Sequence, residues 1–191
     1  MIICAVGDSL TAATGGPAGL GWPGFIAARL AEEFSGLTVY NLGVRGDAST
    51  KVAGRWKNEV AYRSMADTPM ALIFSVGTAD CVQGVPQKET LTAVRTMLTE
   101  SKEFGKAALI GPCPVADEEK SAQCKELSDA FATLCEELNI PYLPVYDFVV
   151  GSPIYKADLE QGDGIHPKTP GYSQIAQAVL EWDGLNTILN K

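Results

Sequence analysis

Residues 2–10 are Ile2-Ile3-Cys4-Ala5-Val6-Gly7-Asp8-Ser9-Leu10, five consecutive apolar residues that run into a glycine and two polar side chains. Consecutive apolar positions are typical of a β-strand that is buried on both faces, as in a parallel sheet. Further apolar runs follow at residues 37–42, 71–76, 107–110 and, more weakly, 142–145. The sequence therefore predicts five buried strands.

Amphipathic stretches separate these apolar runs and predict helices. Leu127, Phe131 and Leu134 lie at helical spacing, and so do Ile175 and Val179. Residues 25–34 and 90–104 are also predicted to be helical, and the last helix is predicted to begin at Thr169-Pro170, with Thr169 as its N-cap. Strand and helix alternate about five times, which predicts an open, doubly wound α/β fold. Such folds bind ligands at the carboxyl ends of their strands.

Composition excludes several classes of protein. The 191 residues are 46% hydrophobic and 20% charged, with a net charge of −8, which predicts one folded domain over residues 1–191. The negative charge argues against nucleic acid or an anionic membrane as partner. Five cysteines without C-x-x-C spacing and one histidine predict free thiols and no metal site. The first apolar run is too short for a signal peptide or a membrane span, so we expect a cytoplasmic protein.

The loops that follow the strands carry polar residues that can form one site. Ser9 follows the first strand, and Asp163 and His166 share a glycine-rich loop before the last helix. A serine needs a general base to act as a nucleophile at neutral pH, and His166 is the single histidine. Asp163 can hold one ring nitrogen of His166, so that the other accepts the serine proton. The alternatives are that Ser9 caps a helix and that His166 is structural.

These residues resemble the motif blocks of the SGNH or GDSL serine hydrolases, which include esterases, lipases and thioesterases. The matching segments are Gly7-Asp8-Ser9-Leu10, Asn41-Leu42-Gly43 and Asp163 to Pro167. The resemblance covers nearly the whole chain and implies a flavodoxin-like, three-layer α/β/α sandwich with a five-stranded parallel sheet. It also implies that Ser9 is the nucleophile, His166 the base and Asp163 its orienting partner. The N–H groups of Ser9 and Gly43 would then bind the oxyanion.

One block departs from the family pattern G-x-N-D, in which the Asn side chain is a third oxyanion donor. The matching residues are Gly77-Thr78-Ala79-Asp80, and Ala79 has no side-chain donor. Loss of one donor typically costs about 10²–10³ in rate. Three explanations stay open: an engineered change at Ala79, a replacement hydrogen bond from Thr78 or another polar neighbour, and lost catalysis.

Two acidic residues within the motif blocks are predicted to be structural. Asp8 is expected to cap a helix or to tie loops together, and Asp80 to accept hydrogen bonds from amides of its own loop. The glycine-rich residues 14–21 lack the phosphate-binding patterns and are predicted to form a loop beside the cleft.

The predicted function is hydrolysis of a small carboxylic ester, with a short acyl or acetyl group and without a metal or organic cofactor. The alternative is a weakened or inactive family member that binds a small acylated ligand or a carbohydrate. The sequence pattern does not indicate an oligomeric state.

Overall fold

A five-stranded parallel sheet lies at the centre of the computed structural model, which describes residues 1–16 and 19–189. The strands follow the order β2-β1-β3-β4-β5, and each neighbouring pair is parallel. Their bounds are β1 Ile2–Gly7, β2 Thr38–Gly43, β3 Met70–Ser75, β4 Lys106–Ile110 and β5 Tyr142–Leu143. The predicted doubly wound α/β fold is confirmed.

Nine α-helices occur in the described part of the chain. They are α1 Trp22–Leu30, α2 Ser49–Ala61, α3 Thr78–Gln83, α4 Gln87–Glu100, α5 Glu118–Leu138, α6 Val145–Val149, α7 Pro153–Glu160, α8 Thr169–Glu181 and α9 Asp183–Leu189. One short 3₁₀ helix, Ser101–Glu103, extends α4 toward β4. None of the helices in the described ranges combines the length and hydropathy that a bilayer span requires.

The helices cover both faces of the sheet. Alternate residues of each central strand point to opposite faces, so apolar side chains on both faces pack against helices. Ile3 and Ala5 of β1 pack with apolar residues of α1, α8 and α9, whereas Cys4 and Val6 pack with those of α2, α4 and α5. Each residue of β1 and β3 is buried. The molecule is therefore a three-layer α/β/α sandwich.

Strand register aligns the carboxyl ends of the three strands that precede the candidate site. Gly7 at the end of β1 lies beside Gly43 of β2 and Ser75 of β3. The loops after β1, β2 and β3 consequently leave the sheet at the same edge.

The structure corrects several local predictions. β2 is an edge strand with exposed residues rather than a strand buried on both faces. β5 contains two residues, because Pro144 follows it and lacks the N–H that would extend the ladder. α1 begins three residues before the predicted start, at Trp22, with a proline in its first turn.

The beginning of α8 also differs from the prediction. Lys168 is its N-cap, without a capping hydrogen bond from its side chain, and Thr169 is its first helical residue. The amides of Lys168 and Gly171 instead donate to Asp158 Oδ2 on α7, at 3.0 and 2.8 Å. The predicted glycine-rich loop at 14–21 contains residues 17 and 18, which lie outside the described residues.

Candidate active site

Ser9, His166 and Asp163 form a continuous chain of hydrogen bonds at the carboxyl edge of the sheet. Ser9 Oγ lies 2.8 Å from Nε2 of His166, and Nδ1 of the same ring lies 2.7 Å from Asp163 Oδ2. Ser9 and His166 are 7% and 8% exposed, so both are shielded but reachable from the cleft. A hydroxyl, an imidazole and a carboxylate in this order can activate the hydroxyl as a nucleophile.

Asp163 holds His166 through both of its carboxylate oxygens. Oδ1 accepts hydrogen bonds from the amides of Ile165 and His166, at 3.0 and 2.9 Å, while Oδ2 contacts the ring. Partial burial acts to raise the pKa of Asp163, but hydrogen bonds from the His166 amide, the His166 ring and the Ile165 amide outweigh it and lower the pKa to about 2. Asp163 is therefore a carboxylate at neutral pH. It favours a proton on Nδ1, which leaves Nε2 free to accept the proton of Ser9.

The loop that carries Asp163 and His166 is fixed at both sides. Gly164 has φ +78°, and its carbonyl accepts a hydrogen bond of 2.7 Å from the amide of Ala116, after β4. Its own amide donates to Leu159 at the end of α7. These contacts fix the position of the His166 imidazole relative to β1.

Asp8 joins the loop after β1 to the beginning of α3. Its carboxylate accepts hydrogen bonds from the amides of Leu10 at 2.9 Å and Ala79 at 3.4 Å. Burial raises the pKa of Asp8 to about 6, although these amide hydrogen bonds oppose the shift. The structure thus gives Asp8 the predicted role of tying loops together.

Gly43 does not present a free N–H to Ser9. Its amide donates to Asn41 Oδ1 at 3.0 Å, and Asn41 Nδ2 donates to the carbonyl of Thr11 at 2.7 Å. A Cβ at Gly43 would lie 2.2 Å from the amide nitrogen of Ala12, so this glycine permits close packing of two backbones. The assignment of Gly43 as an oxyanion donor is therefore corrected.

Gly46 is the glycine that lines the cleft with Ser9. The cleft has a volume of about 150 Å³, and besides Ser9 and His166 its lining comprises Arg45, Gly46, Thr78, Ala79, Val82, Gln83 and Ile165. Gly46 has φ +81°, and its carbonyl accepts a hydrogen bond of 3.1 Å from Gln83 Nε2. Within the described residues, the N–H groups of Ser9 and Gly46 donate to no protein acceptor. Both are available to a ligand.

Thr78 cannot replace the missing asparagine in this arrangement. Thr78 Oγ1 accepts a hydrogen bond of 2.8 Å from the amide of Cys113 and lies 3.5 Å from the Cys113 carbonyl. The hydroxyl thus joins the loops after β3 and β4. Ala79 contributes only its methyl group and backbone to the cleft.

Asp80 lies outside the cleft and binds other elements, so the prediction that it bonds to its own loop is wrong. Its carboxylate accepts hydrogen bonds from the amide and hydroxyl of Ser49, the first residue of α2, at 2.9–3.1 Å. Oδ1 also accepts a hydrogen bond of 2.9 Å from the hydroxyl of Thr90 on α4. Asp80 therefore joins α2, α3 and α4.

Sequence reasoning missed Arg45, Gly46, Val82, Gln83 and Ile165 as lining residues. A signal existed for Gly46, because Asn41-Leu42-Gly43-Val44-Arg45-Gly46 contains two glycines after one strand. Choosing between the two glycines requires knowing that the amide of Gly43 donates its hydrogen bond to Asn41.

Comparison with known proteins places the chain beside a family and several relatives. The model of the GDSL-like lipase/acylhydrolase family matches residues 5–174. An arylesterase of Vibrio mimicus is 23% identical over 180 residues, covering 94% of this chain and 86% of that protein. Esterase TesA of Pseudomonas aeruginosa is 22% identical over 187 residues, covering 98% and 89%.

A solved structure shows the same fold. An acetylxylan esterase of Geobacillus stearothermophilus superposes with a TM-score of 0.78 at 20% identity, covering 94% of this chain and 92% of that one.

Proposed function

The chain belongs to the GDSL-like lipase/acylhydrolase family of carboxylic ester hydrolases, and on that premise we propose that it hydrolyses short-chain esters through Ser9, His166 and Asp163. The observation that carries the proposal is the hydrogen-bonded chain from Ser9 Oγ through the imidazole to the Asp163 carboxylate. The sequence relatives, an arylesterase and an esterase, support the same reaction class.

In the first half of the reaction, Ser9 Oγ attacks the ester carbonyl while Nε2 of His166 accepts its proton. The carbonyl oxygen becomes an oxyanion, which the free N–H groups of Ser9 and Gly46 stabilise. His166 then gives its proton to the departing alcohol, leaving the acyl group on Ser9. Asp163 stabilises the imidazolium throughout.

In the second half, His166 accepts a proton from water, and the resulting hydroxide attacks the acyl-enzyme. The tetrahedral intermediate uses the same two N–H groups, and the proton returns from His166 to Ser9 Oγ as the acid leaves. Apart from the ester and the water, each step uses groups that this chain supplies.

The size of the cleft supports a short acyl group. Its volume of about 150 Å³ is below the 300–1,000 Å³ of typical small-molecule pockets, and Val82, Ala79 and Ile165 give it apolar surface. The acetylxylan esterase among the structural neighbours also acts on an acetyl ester. We expect kcat/KM for p-nitrophenyl esters to fall from acetate and butyrate to decanoate, and a preference for decanoate would contradict a short acyl site.

The test of the nucleophile is the initial rate of p-nitrophenyl acetate hydrolysis at pH 8 for the unmodified protein and for Ser9→Ala. We expect the rate to disappear in Ser9→Ala and to persist in Ser64→Ala, a control at an exposed serine after α2. An equal rate in Ser9→Ala and the unmodified protein would refute Ser9 as nucleophile.

A second candidate function is a weakened member that binds an acylated ligand or a carbohydrate. Its supporting observation is that Ala79 offers no side-chain donor and that the Thr78 hydroxyl is bonded to Cys113. Ala79→Asn distinguishes the two functions. An active but handicapped hydrolase gains up to about 10²–10³ in kcat, whereas a binder gains nothing and keeps its ligand affinity in Ser9→Ala.

We also propose that the protein is cytoplasmic, which its five free cysteines support because structural disulfides are rare in that compartment. Recovery of the protein in a secreted or periplasmic fraction would contradict this location.

A further inference from the structure

Arg45 lines the cleft beside Ser9 and is exposed to solvent. Among the described residues, no carboxylate or carbonyl oxygen accepts a hydrogen bond from its guanidinium. The other four arginines of the sequence each have such an acceptor, as shown by Arg29 with Glu32, Arg55 with Asp47, Arg63 with the Glu59 carbonyl and Arg95 with Glu137. The arginine at the cleft is therefore the one whose hydrogen-bonding capacity is unused.

Asp47 does not neutralise Arg45, although only one residue separates them. Its carboxylate lies 2.7 Å from Arg55 Nε. Arg55 is held in turn by the carbonyls of Gly7 and Leu42, at 2.8 and 3.1 Å, which are at the ends of β1 and β2. Because Arg55 is fixed to the sheet, Asp47 is directed toward it and away from Arg45.

The backbone of the turn that carries Arg45 is fixed on two sides. The amide of Val44 donates to the Gly7 carbonyl at 3.0 Å, and Gln83 Nε2 on α3 donates to the Gly46 carbonyl at 3.1 Å. These bonds hold the Cα of Arg45 between β1 and α3, at the entrance to the cleft. The long side chain remains free to meet a ligand.

In the part of the chain that the structure describes, the positive charge of the Arg45 guanidinium is not offset by a carboxylate in the cleft. Among the described residues that line the cleft, none has an acidic side chain. The nearby carboxylates have their own donors: Asp8 accepts from backbone amides, Asp80 from Ser49 and Thr90, and Asp163 from His166. A protein with a net charge of −8 thus presents an unpaired cation next to its nucleophile.

We propose that this cleft takes esters that carry a negatively charged group, a carboxylate or a phosphate, and that Arg45 binds that group. The planar guanidinium offers paired N–H donors that match either oxyanion. This inference rests on the proposed hydrolysis through Ser9, and it adds the charge of the substrate to it.

The test compares two pairs of esters whose members differ by one charge. The first pair places the charge on the acyl side, as mono-4-nitrophenyl adipate and its methyl ester. The second places it on the alcohol side, as 4-acetoxybenzoate and its methyl ester. In at least one pair we expect kcat/KM of the unmodified protein to favour the charged ester, with a selectivity that weakens from 20 to 500 mM NaCl.

We expect Arg45→Gln to lower the charged-to-neutral ratio about two- to fivefold, the size of an exposed ion pair. The loss should be seen as a higher KM for the charged ester. Arg45→Lys should retain part of the preference. Arg95→Gln, which removes the same charge from an exposed site on α4, should leave the ratio as it is.

Three outcomes would overturn the inference. They are the absence of any preference for the charged ester in the unmodified protein, an unchanged ratio in Arg45→Gln, and an equal loss on charged and neutral esters, which would place Arg45 in the ester chemistry itself. Ser9→Ala is assayed with all four esters as the control for hydrolysis that does not depend on Ser9. If Ser9→Ala hydrolyses all four esters at the unmodified rate, the proposed function fails, and the inference falls with it.

Discussion

At the scale of single residues, Asp163 shows how one side chain can fix both the position and the protonation of another. Its Oδ1 accepts two backbone amides of its own loop, so the carboxylate cannot rotate away, and Oδ2 then faces the imidazole. The ring of His166 is held with Nε2 toward Ser9. The two oxygens have different roles: Oδ1 fixes the orientation of the carboxylate, and Oδ2 keeps the proton of the His166 ring on Nδ1.

Asp163→Asn is therefore expected to reduce kcat without unfolding the protein. An asparagine oxygen can still accept from the amides of Ile165 and His166, but its NH₂ cannot accept the proton of Nδ1. The loss expected for such a change is about 10³–10⁴ in kcat, measured with p-nitrophenyl acetate. Asp129→Asn, an exposed position on α5, serves as the matched control. A kcat within twofold of the unmodified protein would mean that Asp163 does not orient His166.

Asp8 leads to a prediction about pH and stability. Its pKa in the folded state is about 6, whereas an unfolded aspartate titrates near 3.9. Folding therefore favours the protonated form of Asp8, and this contribution is present below about pH 4 and is lost as pH rises through 6.

Asp8→Asn removes this titration. Relative to that variant, the unfolding free energy of the unmodified protein should decrease between pH 4 and pH 7 by about 2 kcal/mol. Urea denaturation of both proteins at pH 4, 5, 6 and 7 measures the difference, in which the other titrating groups cancel. A difference that stays constant with pH would show that Asp8 titrates normally in the folded state.

At the scale of secondary-structure elements, Asp158 links α7 to the beginning of α8. Its Oδ2 accepts from the amides of Lys168 and Gly171, and the loop with Asp163 and His166 lies between the two helices. Asp158 thus closes that loop at its base, although it does not touch the imidazole.

Asp158→Ala is expected to destabilise the protein, because two amides at the helix terminus lose their acceptor. The cost should be about 2 kcal/mol, or a decrease of roughly 4–8 °C in Tm for a chain of this size. We expect kcat to fall as well, since the loop that carries His166 is loosened. Asp129→Ala provides the control for loss of an acidic residue on a helix surface, and equal Tm values for the two variants would contradict the capping role.

The central elements could be predicted because their signals are local. β1 and β3 consist almost entirely of consecutive apolar residues, and α5 contains the regular helical spacing of Leu127, Phe131 and Leu134. α2 was not predicted, although Val52, Trp56 and Val60 recur every four residues and are fully buried. Its start depends on Asp80, a partner 31 residues away that no local pattern contains.

At the scale of the whole molecule, the candidate site depends on which segments meet at one edge of the sheet. The chain order of the strands differs from their spatial order, yet β1 lies between β2 and β3, so the loops after all three converge. The proximity of Ser9, Asp163 and His166 could be expected from this class of fold, while their catalytic roles stay a proposal. The sequence did not predict that Gly46, rather than Gly43, has a free N–H, because this follows from the hydrogen bond that the Gly43 amide donates to Asn41 Oδ1.

The distribution of thiols leads to a prediction for the whole molecule. The five cysteines are buried and unpaired, and burial raises the pKa of Cys4 to about 11 and those of Cys113 and Cys135 to about 12. A hydrogen bond with the Cys124 thiol lowers the pKa of Cys81. Apart from Cys81, the thiols of the folded protein should react slowly with a thiol reagent at pH 8, whereas the protein in guanidinium chloride should show five thiols without prior reduction. Fewer than five after denaturation would indicate a disulfide.

Because all strands of the sheet are parallel, their carboxyl ends form one rim of the molecule and their amino ends form the opposite rim. The residues around the cleft follow strand ends, whereas the turn at residues 63–68 precedes β3 and lies one strand length away, about 17 Å. Tyr62 beside it is 90% exposed, and Met65 within it is 62% exposed. A dye, a resin linker or a fused reporter attached at this turn would leave the entrance to the cleft unobstructed, which makes this rim the place to immobilise the protein.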